Sequence, residues 1–196
     1  MIFAIIALII TIIVIRSAIN KPLPQDYSAP DEKTAGRQGE QLGNEIIRLA
    51  LRRGDTHLTN VCVEYDGKPA ELDNVIINEC GVFIVEVKNY RGEITGGEDD
   101  YEWYKVKSSS AGNVYGENVK NPIKQVKRQV YVLANYLSIN GVSVWVEGYA
   151  LLIRGNSPVK SPYILNGAED IDRVIHTPGR ETLSPEKIRQ TAALLQ

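Results

Sequence analysis

The sequence has few of the residues that build disulfide frameworks and most transition-metal sites. Its 196 residues include two cysteines, Cys62 and Cys80, and two histidines, His57 and His176. Two thiols cannot form a disulfide framework or a four-thiolate zinc site, and two imidazoles leave little room for a histidine-based metal cage. Any chemistry is therefore expected to rest on carboxylates, lysine, tyrosine or glutamine.

A large excess of either charge is missing as well. The chain has 22 lysines and arginines against 24 aspartates and glutamates, for a formal net charge of −2. This balance excludes a protein that binds nucleic acid through bulk positive charge, although it is compatible with a local basic groove. With 43% hydrophobic and 23% charged residues, the composition is typical of a globular protein. The length suits one domain with appendages.

The beginning of the chain is much more apolar than the rest. Residues 1–15 contain no charged side chain and a single polar one, Thr11. Continued to Ile19, this stretch would be about 28 Å long as a helix, close to the ~30 Å hydrocarbon core of a bilayer. A buried helix of a soluble protein is not expected to be apolar on every side. A cleavable signal peptide would need a basic residue before the apolar stretch and a small-residue cleavage site after it, and the sequence shows neither. We therefore predict a transmembrane helix over residues 1–19.

Basic residues follow this apolar stretch and do not precede it; they are Arg16, Lys21, Lys33 and Arg37. The positive-inside rule then predicts that the rest of the chain is cytoplasmic, where the two cysteines are expected to be free thiols. Residues 20–35 contain three prolines and no apolar period. They are predicted to form an extended linker.

The pattern of the remaining residues predicts an α/β fold, with a mixed central sheet flanked by helices. A domain over residues 36–153 is expected to be followed by a C-terminal accessory strand and helix over residues 154–196. The predicted elements are a helix over 36–53, strands over 58–65, 71–78 and 82–88, a hairpin over 92–106, a helix opened by Asn121-Pro122, a long strand or bent pair over 142–153, an accessory strand near Ile171–Ile175, and a final helix opened by Ser184-Pro185.

The most informative stretch is ELDNVIINECGVFIVEVKN, residues 71–89. A two-residue hairpin turn at Glu79-Cys80 would fix the antiparallel register and place Asp73 opposite Glu86, and Glu71 opposite Lys88. The side chains would then share one face of the sheet, with the Cβ atoms of the two opposed carboxylates roughly 4.5–5.5 Å apart.

Two carboxylates so placed repel each other unless a cation lies between them. Oxygen ligands without histidine or cysteine favour Mg²⁺ or Mn²⁺ over Zn²⁺. Lys88 could then orient an attacking water and stabilise developing negative charge. The alternative is that Asp73, Glu86 and Lys88 decorate a solvated sheet face. It is disfavoured because apolar residues occupy both faces of these strands, and a sheet covered on both sides seldom holds acidic groups in mid-strand.

Three motifs in order along the chain resemble those of the nuclease-related domain family, within the restriction-endonuclease-like PD-(D/E)XK superfamily. They are Gly36-x-x-Gly39-Glu40, Asp73 with Glu86-x-Lys88, and Asn121-Pro122-x-x-Gln125. The resemblance implies a restriction-endonuclease-like core whose active residues bind Mg²⁺, or Mn²⁺, and hydrolyse phosphodiesters. It implies that Asp73 and Glu86 are metal ligands and that Lys88 is the catalytic lysine.

The resemblance also implies that Glu40 and Gln125 belong to the catalytic site. The residues alone leave alternatives open, since Glu40 could instead favour the helix dipole, and Gln125 could be a boundary residue with a local hydrogen bond. Four basic side chains near the start of the same helix could line a phosphate path or form a solvated face; they are Lys120, Lys124, Lys127 and Arg128. Aromatic residues at 101, 103 and 104 could stack on bases, although cross-strand packing is the favoured interpretation.

Two functions from different classes follow. The first is a membrane-anchored, Mg²⁺-dependent nuclease that acts on nucleic acid, in the first place DNA. The second is a catalytically silent nuclease fold that binds or scaffolds at the cytoplasmic membrane face, since function depends on the site and not on the fold. A third hypothesis is that the protein is an anchored signalling component whose residues 157–196 dock a partner.

Overall fold

The computed structural model describes residues 32–108, 113–179 and 182–196. The chain divides into two compact units, Met1–Thr34 and Ala35–Gln196. Of the first unit, residues 32–34 are described and are helical. The predicted transmembrane helix and most of the predicted linker lie outside the described residues. No helix within the described ranges has the length and apolar character needed to span a bilayer.

The described chain contains four helices and eight strands. The helices are α1 (Glu32–Ala50), α2 (Pro122–Ile139), α3 (Ala168–Ile175) and α4 (Pro185–Leu194). The strands are β1 (Thr56–Tyr65), β2 (Lys68–Asn78), β3 (Gly81–Lys88), β4 (Glu93–Thr95), β5 (Glu102–Ser108), β6 (Val114–Lys120), β7 (Val146–Leu152) and β8 (Ile164–Leu165).

The main sheet has five strands in the order β1-β2-β3-β7-β8. Strands β1, β2 and β3 form an antiparallel meander, whereas β3 pairs with β7, and β7 with β8, in parallel. The parallel connection from β3 to β7 passes through α2, as a crossover between parallel strands requires. The predicted mixed α/β sheet flanked by helices is thereby confirmed.

The sheet separates two apolar cores. Val75, Ile77 and Ile84 pack with residues of α2 and α4 on one face. Ile76, Phe83, Val85 and Val87 pack with residues of α1 and α3 on the other. Residues of even number in β3 therefore point toward α2, because side chains alternate along a strand. This places Glu86 and Lys88 on the α2 face.

A second sheet of three strands has the order β4-β5-β6 and is antiparallel throughout. Its middle strand contributes Trp103, which is fully buried and whose indole N–H donates to the carbonyl of Gly97 at 2.8 Å. Strand β6 was not predicted from the sequence, because nearly all of its residues are exposed. A polar sequence without alternation carries no strand signal.

The C-terminal region differs from the prediction. Residues 171–175 are helical, in α3, and the accessory strand is instead β8. Ile171, Val174 and Ile175 follow the i, i+3, i+4 spacing that puts three apolar side chains on one helical face, and acidic residues in the first turn favour the helix dipole. The long predicted strand over 142–153 is shorter, since residues 142–145 precede β7 without strand pairing.

Candidate active site

The site begins at a bend shared by β1 and β2. All residues of β1 pair with β2 except Asn60, whose expected partner is Asp73. Asn60 has a backbone φ of 54°, in the left-handed region that asparagine tolerates better than most residues. Alternation also breaks here, because Leu72 and Val75 both face the same core. Asp73 therefore lies at a kink in the sheet.

Beyond this kink β2 and β3 separate. The predicted register is present from Asn78↔Gly81 to Val75↔Ile84 and ends there. Side chains take over the missing backbone partners: the Asn74 amide donates to the Val85 carbonyl at 3.2 Å, and the Val87 N–H donates to Asp73 Oδ2 at 3.0 Å. The expected ladder pairs of Asp73 with Glu86 and Glu71 with Lys88 are thus wrong. The strands diverge because the kink turns β2 away.

Glu86 is the most deeply buried charged residue of the site, with a side chain 3% exposed. Both of its oxygens accept hydrogen bonds. Oε1 accepts from Lys88 Nζ and from Gln125 Nε2, each at 2.6 Å, and Oε2 accepts from Gln129 Nε2 at 2.7 Å. A buried carboxylate is costly unless it is paired and hydrogen-bonded. Three donors fix its position and satisfy that requirement.

Lys88 supplies the positive charge opposite Glu86. Its side chain is 19% exposed, and the ion pair with Glu86 measures 2.6 Å. Burial alone would lower the pKa of Lys88, but the charge of Glu86 and the hydrogen bond to it outweigh burial and raise that pKa above its ordinary value. Lys88 is therefore an ammonium donor at neutral pH.

The surroundings of Asp73 raise its pKa. Burial and then the charge of Glu86 raise the pKa of Asp73 from 3.8 to about 6, whereas the hydrogen bond from Val87 and the charge of Lys88 act in the opposite direction. Glu40 adds a smaller increase. Asp73 thus lies close enough to Glu86 and to Glu40 to be repelled by each of them.

Helix α1 approaches the end of β3 closely, which explains how Glu40 comes near Asp73. A Cβ atom at Gly39 would lie 2.8 Å from the Cβ of Asn89, and one at Gly43 would lie 2.5 Å from Cγ1 of Val87. Only glycine permits this distance between helix and strand. Glu40 itself is exposed at the surface, so it borders the site and is not buried in it.

Helix α2 reaches the site through two glutamines one turn apart. Gln125, which the sequence predicts as a site residue, and Gln129, which was not predicted, each donate to Glu86. Gln129 Nε2 also donates to the Glu71 carbonyl at 2.9 Å, while its buried Oε1 has no hydrogen-bond partner among the described residues. The i, i+4 spacing after Gln125 was the signal that could have revealed Gln129.

The donor set fits a hard divalent cation. Asp73 and Glu86 offer carboxylate oxygens, their mutual repulsion would be relieved by a positive ion, and Gln129 Oε1 is a buried carbonyl oxygen in need of a partner. Within the described ranges, no group of three or more histidine, cysteine, aspartate or glutamate side chains has the arrangement of a metal site. The remaining ligands would therefore be water and substrate oxygens, as is usual for Mg²⁺.

Three of the four predicted basic residues lie together. Lys120, Lys124 and Arg128 line a cleft of about 440 Å³ that also contains Gln125 and Gln129. We call it the basic cleft. Lys127 does not line it; its ammonium lies over the ring of Tyr163 at 4.4 Å and borders a separate groove.

The chain is similar to a known protein family and to a bacterial protein. The chain is 34% identical to an uncharacterized protein of Bacillus anthracis, over an alignment that covers 58% of this chain and 52% of that protein. The chain thus spans about half the length of the curated relative it matches. No solved structure matches the chain significantly. Residues 35–153, more than half of the chain, match the family defined as the nuclease-related domain, and the chain therefore belongs to that family.

Proposed function

We propose that this protein is a divalent-metal-dependent nuclease that hydrolyses phosphodiester bonds in nucleic acid. The observation that carries the proposal is the arrangement around Glu86. A charged carboxylate that is 3% exposed faces Asp73 and binds Lys88 at the point where β2 and β3 separate. Such a buried, charged cluster is expensive for the fold, and the match to a family of nuclease-related domains supports a catalytic reason for it.

Asp73 and Glu86 would hold the metal ion, Mg²⁺ or Mn²⁺. When bound, such an ion supplies positive charge that stabilises the charge developing on the phosphate and promotes ionisation of a water. The donor chemistry of the two carboxylates favours these ions over zinc.

The protein's own residues perform the other tasks. Lys88 donates to the attacking water or to a phosphate oxygen and stabilises the negative charge that builds up as the P–O bond to the leaving group breaks. Gln125 and Gln129 hold the Glu86 carboxylate in one orientation through its two oxygens. Glu40, at the border of the site, contributes through water.

We also propose that residues 1–19 anchor the protein in a membrane and that the nuclease domain lies on the cytoplasmic side. The support is the apolar composition of the first 15 residues and the basic residues that follow them. The nucleic-acid partner is supported by the basic cleft beside the site.

The test is a cleavage assay with the full chain in a mild detergent. Labelled single- and double-stranded DNA and RNA are incubated with Mg²⁺, Mn²⁺ or EDTA. Asp73→Asn removes one proposed ligand with almost no change in shape, and Asp66→Asn, at an exposed turn between β1 and β2, is the matched control. We expect metal-dependent cleavage by the wild type and the control, and none by Asp73→Asn.

Equal cleavage by Asp73→Asn and the wild type would refute the proposed site. Absence of cleavage on every substrate, together with unchanged binding of nucleic acid by the variant, would instead support the scaffolding function.

A further inference from the structure

The basic cleft holds an aromatic residue in a position that packing does not require. The side chain of Tyr101 lines the cleft and is 80% exposed, whereas Trp103, two residues later, is fully buried. Packing therefore explains the Trp103 ring but not the Tyr101 ring, most of which faces solvent.

The backbone that carries Tyr101 is firmly held. The N–H of Asn121 donates to the Tyr101 carbonyl at 3.2 Å. The buried Asn121 amide donates to the carbonyls of Glu98 at 2.9 Å and Asp100 at 2.8 Å, while its oxygen accepts from the Ile123 N–H at the start of α2. The exposed ring of Tyr101 therefore stands on a fixed stretch of backbone at the wall of the cleft.

The charges around this ring suit a phosphate backbone. Lys120, Lys124 and Arg128 share the cleft with one acidic side chain, the exposed Glu71. Lys124 contacts Asp99 at 3.4 Å, but that carboxylate is 93% exposed, so a phosphate can displace it at little cost. One guanidinium nitrogen of Arg128 donates to the Pro69 carbonyl at 2.8 Å, which orients the group and leaves further donors for an anion.

The cleft also leads to the proposed catalytic residues. Gln125 and Gln129 form part of its wall and donate to Glu86. Its volume of about 440 Å³ lies in the range of pockets that enclose one small organic ligand, such as a single nucleotide. A strand lying here would contact the two glutamines that hold Glu86.

A tyrosine ring can stack on a base only when the face of that base is free. In a duplex the faces are stacked on neighbouring pairs and the grooves present edges, whereas single strands expose the faces. We propose that the basic cleft binds single-stranded nucleic acid, with Tyr101 stacked on a base and Lys120, Lys124 and Arg128 bound to the adjoining phosphates. This inference rests on the proposed nuclease function and narrows its substrate to single strands.

The experiment measures binding by fluorescence anisotropy, with the full chain in detergent and EDTA present so that no cleavage occurs. The probes are a labelled 12-nucleotide DNA strand, the RNA strand of the same sequence, and the DNA duplex. Tyr101→Ala removes the ring and Tyr101→Phe retains it. Tyr115→Ala removes another exposed tyrosine, 58% accessible on β6 and outside the cleft.

We expect Tyr101→Ala to weaken single-strand binding about tenfold and duplex binding less than twofold, on the DNA strand, the RNA strand or both. Tyr101→Phe and Tyr115→Ala should stay within twofold of the wild type. Equal losses on single strands and duplex, no loss on single strands, or tighter binding of the duplex by the wild type would overturn the inference.

A parallel cleavage assay with Mg²⁺ separates this inference from the proposed function. If the wild type cleaves but Tyr101→Ala binds single strands as tightly as the wild type, the role of the cleft is refuted and the proposed nuclease function stands. If Tyr101→Ala weakens single-strand binding but the wild type does not cleave, the proposed nuclease function is refuted and the proposed binding by the cleft stands.

Discussion

The two ends of the β2–β3 pair are built in opposite ways. Near the turn, from Val75↔Ile84 to Asn78↔Gly81, backbone pairs form a regular ladder between buried residues, which are apolar except at the Asn78↔Gly81 pair. At the other end the ladder is absent, and the same two strands are joined by side chains of Asn74 and Asp73 that bind backbone atoms of β3.

From this difference we infer that one end supports stability and that the other supports the proposed chemistry. The end near the turn, which we call the ladder end, gains free energy from buried apolar area and regular hydrogen bonds. The other end, which we call the open end, buries Glu86 and places Asp73 near it. The repulsion between the two carboxylates lowers stability unless a cation is bound. We therefore expect substitutions at the ladder end to change folding, and substitutions at the open end to change cleavage.

The largest effect should come from Lys88→Met, which removes the ammonium and keeps an unbranched side chain. Loss of a preorganised donor to developing charge should slow cleavage about 10³-fold, equivalent to about 4 kcal/mol of barrier. Initial rates of strand cleavage measure it, with circular dichroism as the check of folding. The control is Lys68→Met, at the exposed start of β2. A rate within tenfold of the wild type would show that Lys88 is not catalytic.

The ladder end should respond in the opposite manner. Ile77→Ala truncates a fully buried side chain and should lower the free energy of unfolding by about 3 kcal/mol. Urea unfolding, followed by the fluorescence of buried Trp103, measures the loss. Cleavage per folded molecule should stay within twofold at temperatures well below the transition. A large loss of activity in a fully folded Ile77→Ala protein would contradict the division between the two ends.

The pH dependence of stability provides a third comparison, made on the metal-free protein. Because the pKa of Asp73 is raised from 3.8 to about 6, folding favours its protonated form. That contribution is fully present below pH 3.8 and is lost as the pH rises through 6. Asp73→Asn removes this dependence because an amide does not titrate. Its oxygen can still accept the Val87 N–H, so the hydrogen bond is retained.

At pH 7.5 in EDTA, Asp73→Asn should therefore be more stable than the wild type by about 3 kcal/mol, and the difference should shrink toward zero near pH 4. Urea unfolding at pH 4, 6 and 7.5 tests this expectation. A variant that is less stable than the wild type at pH 7.5 would show that the site carries no electrostatic repulsion.

The smallest effect concerns the kink itself. Asn60→Val places a β-branched residue at a φ of 54° and should cost about 1 kcal/mol of stability, together with a few-fold loss of cleavage as Asp73 shifts. Asn60→Gly fits the same backbone and should leave both quantities nearly unchanged. Equal behaviour of the two variants would mean that the left-handed residue does not position Asp73.

The ladder end and the open end also differ in how far the sequence predicts them. Apolar alternation and a two-residue turn sufficed for the register near Asn78, and the Asn121-Pro122 pair correctly marked the start of α2. The motif around Asp73, Glu86 and Lys88 indicated the family, which the match over residues 35–153 confirms.

The kink could not be predicted, because a strand that changes face at Asp73 still has a continuous β pattern. Regular alternation therefore led to ladder pairs that the structure does not contain. The same assumption hid Asn74, whose amide replaces a backbone donor. The membrane anchor and the catalytic roles of Lys88, Glu40 and Gln125 stay predictions.

We propose above that the open end of β2 and β3 gathers carboxylates to hold a divalent cation. The most direct test is Mn²⁺ binding by calorimetry, with the full chain and a cleavage-resistant phosphorothioate oligonucleotide present. We expect the wild type and Asp66→Asn to bind Mn²⁺ with equal affinity, and Asp73→Asn to bind it at least tenfold more weakly. Equal affinity of Asp73→Asn and the wild type, or no Mn²⁺ binding by the wild type, would contradict the claim.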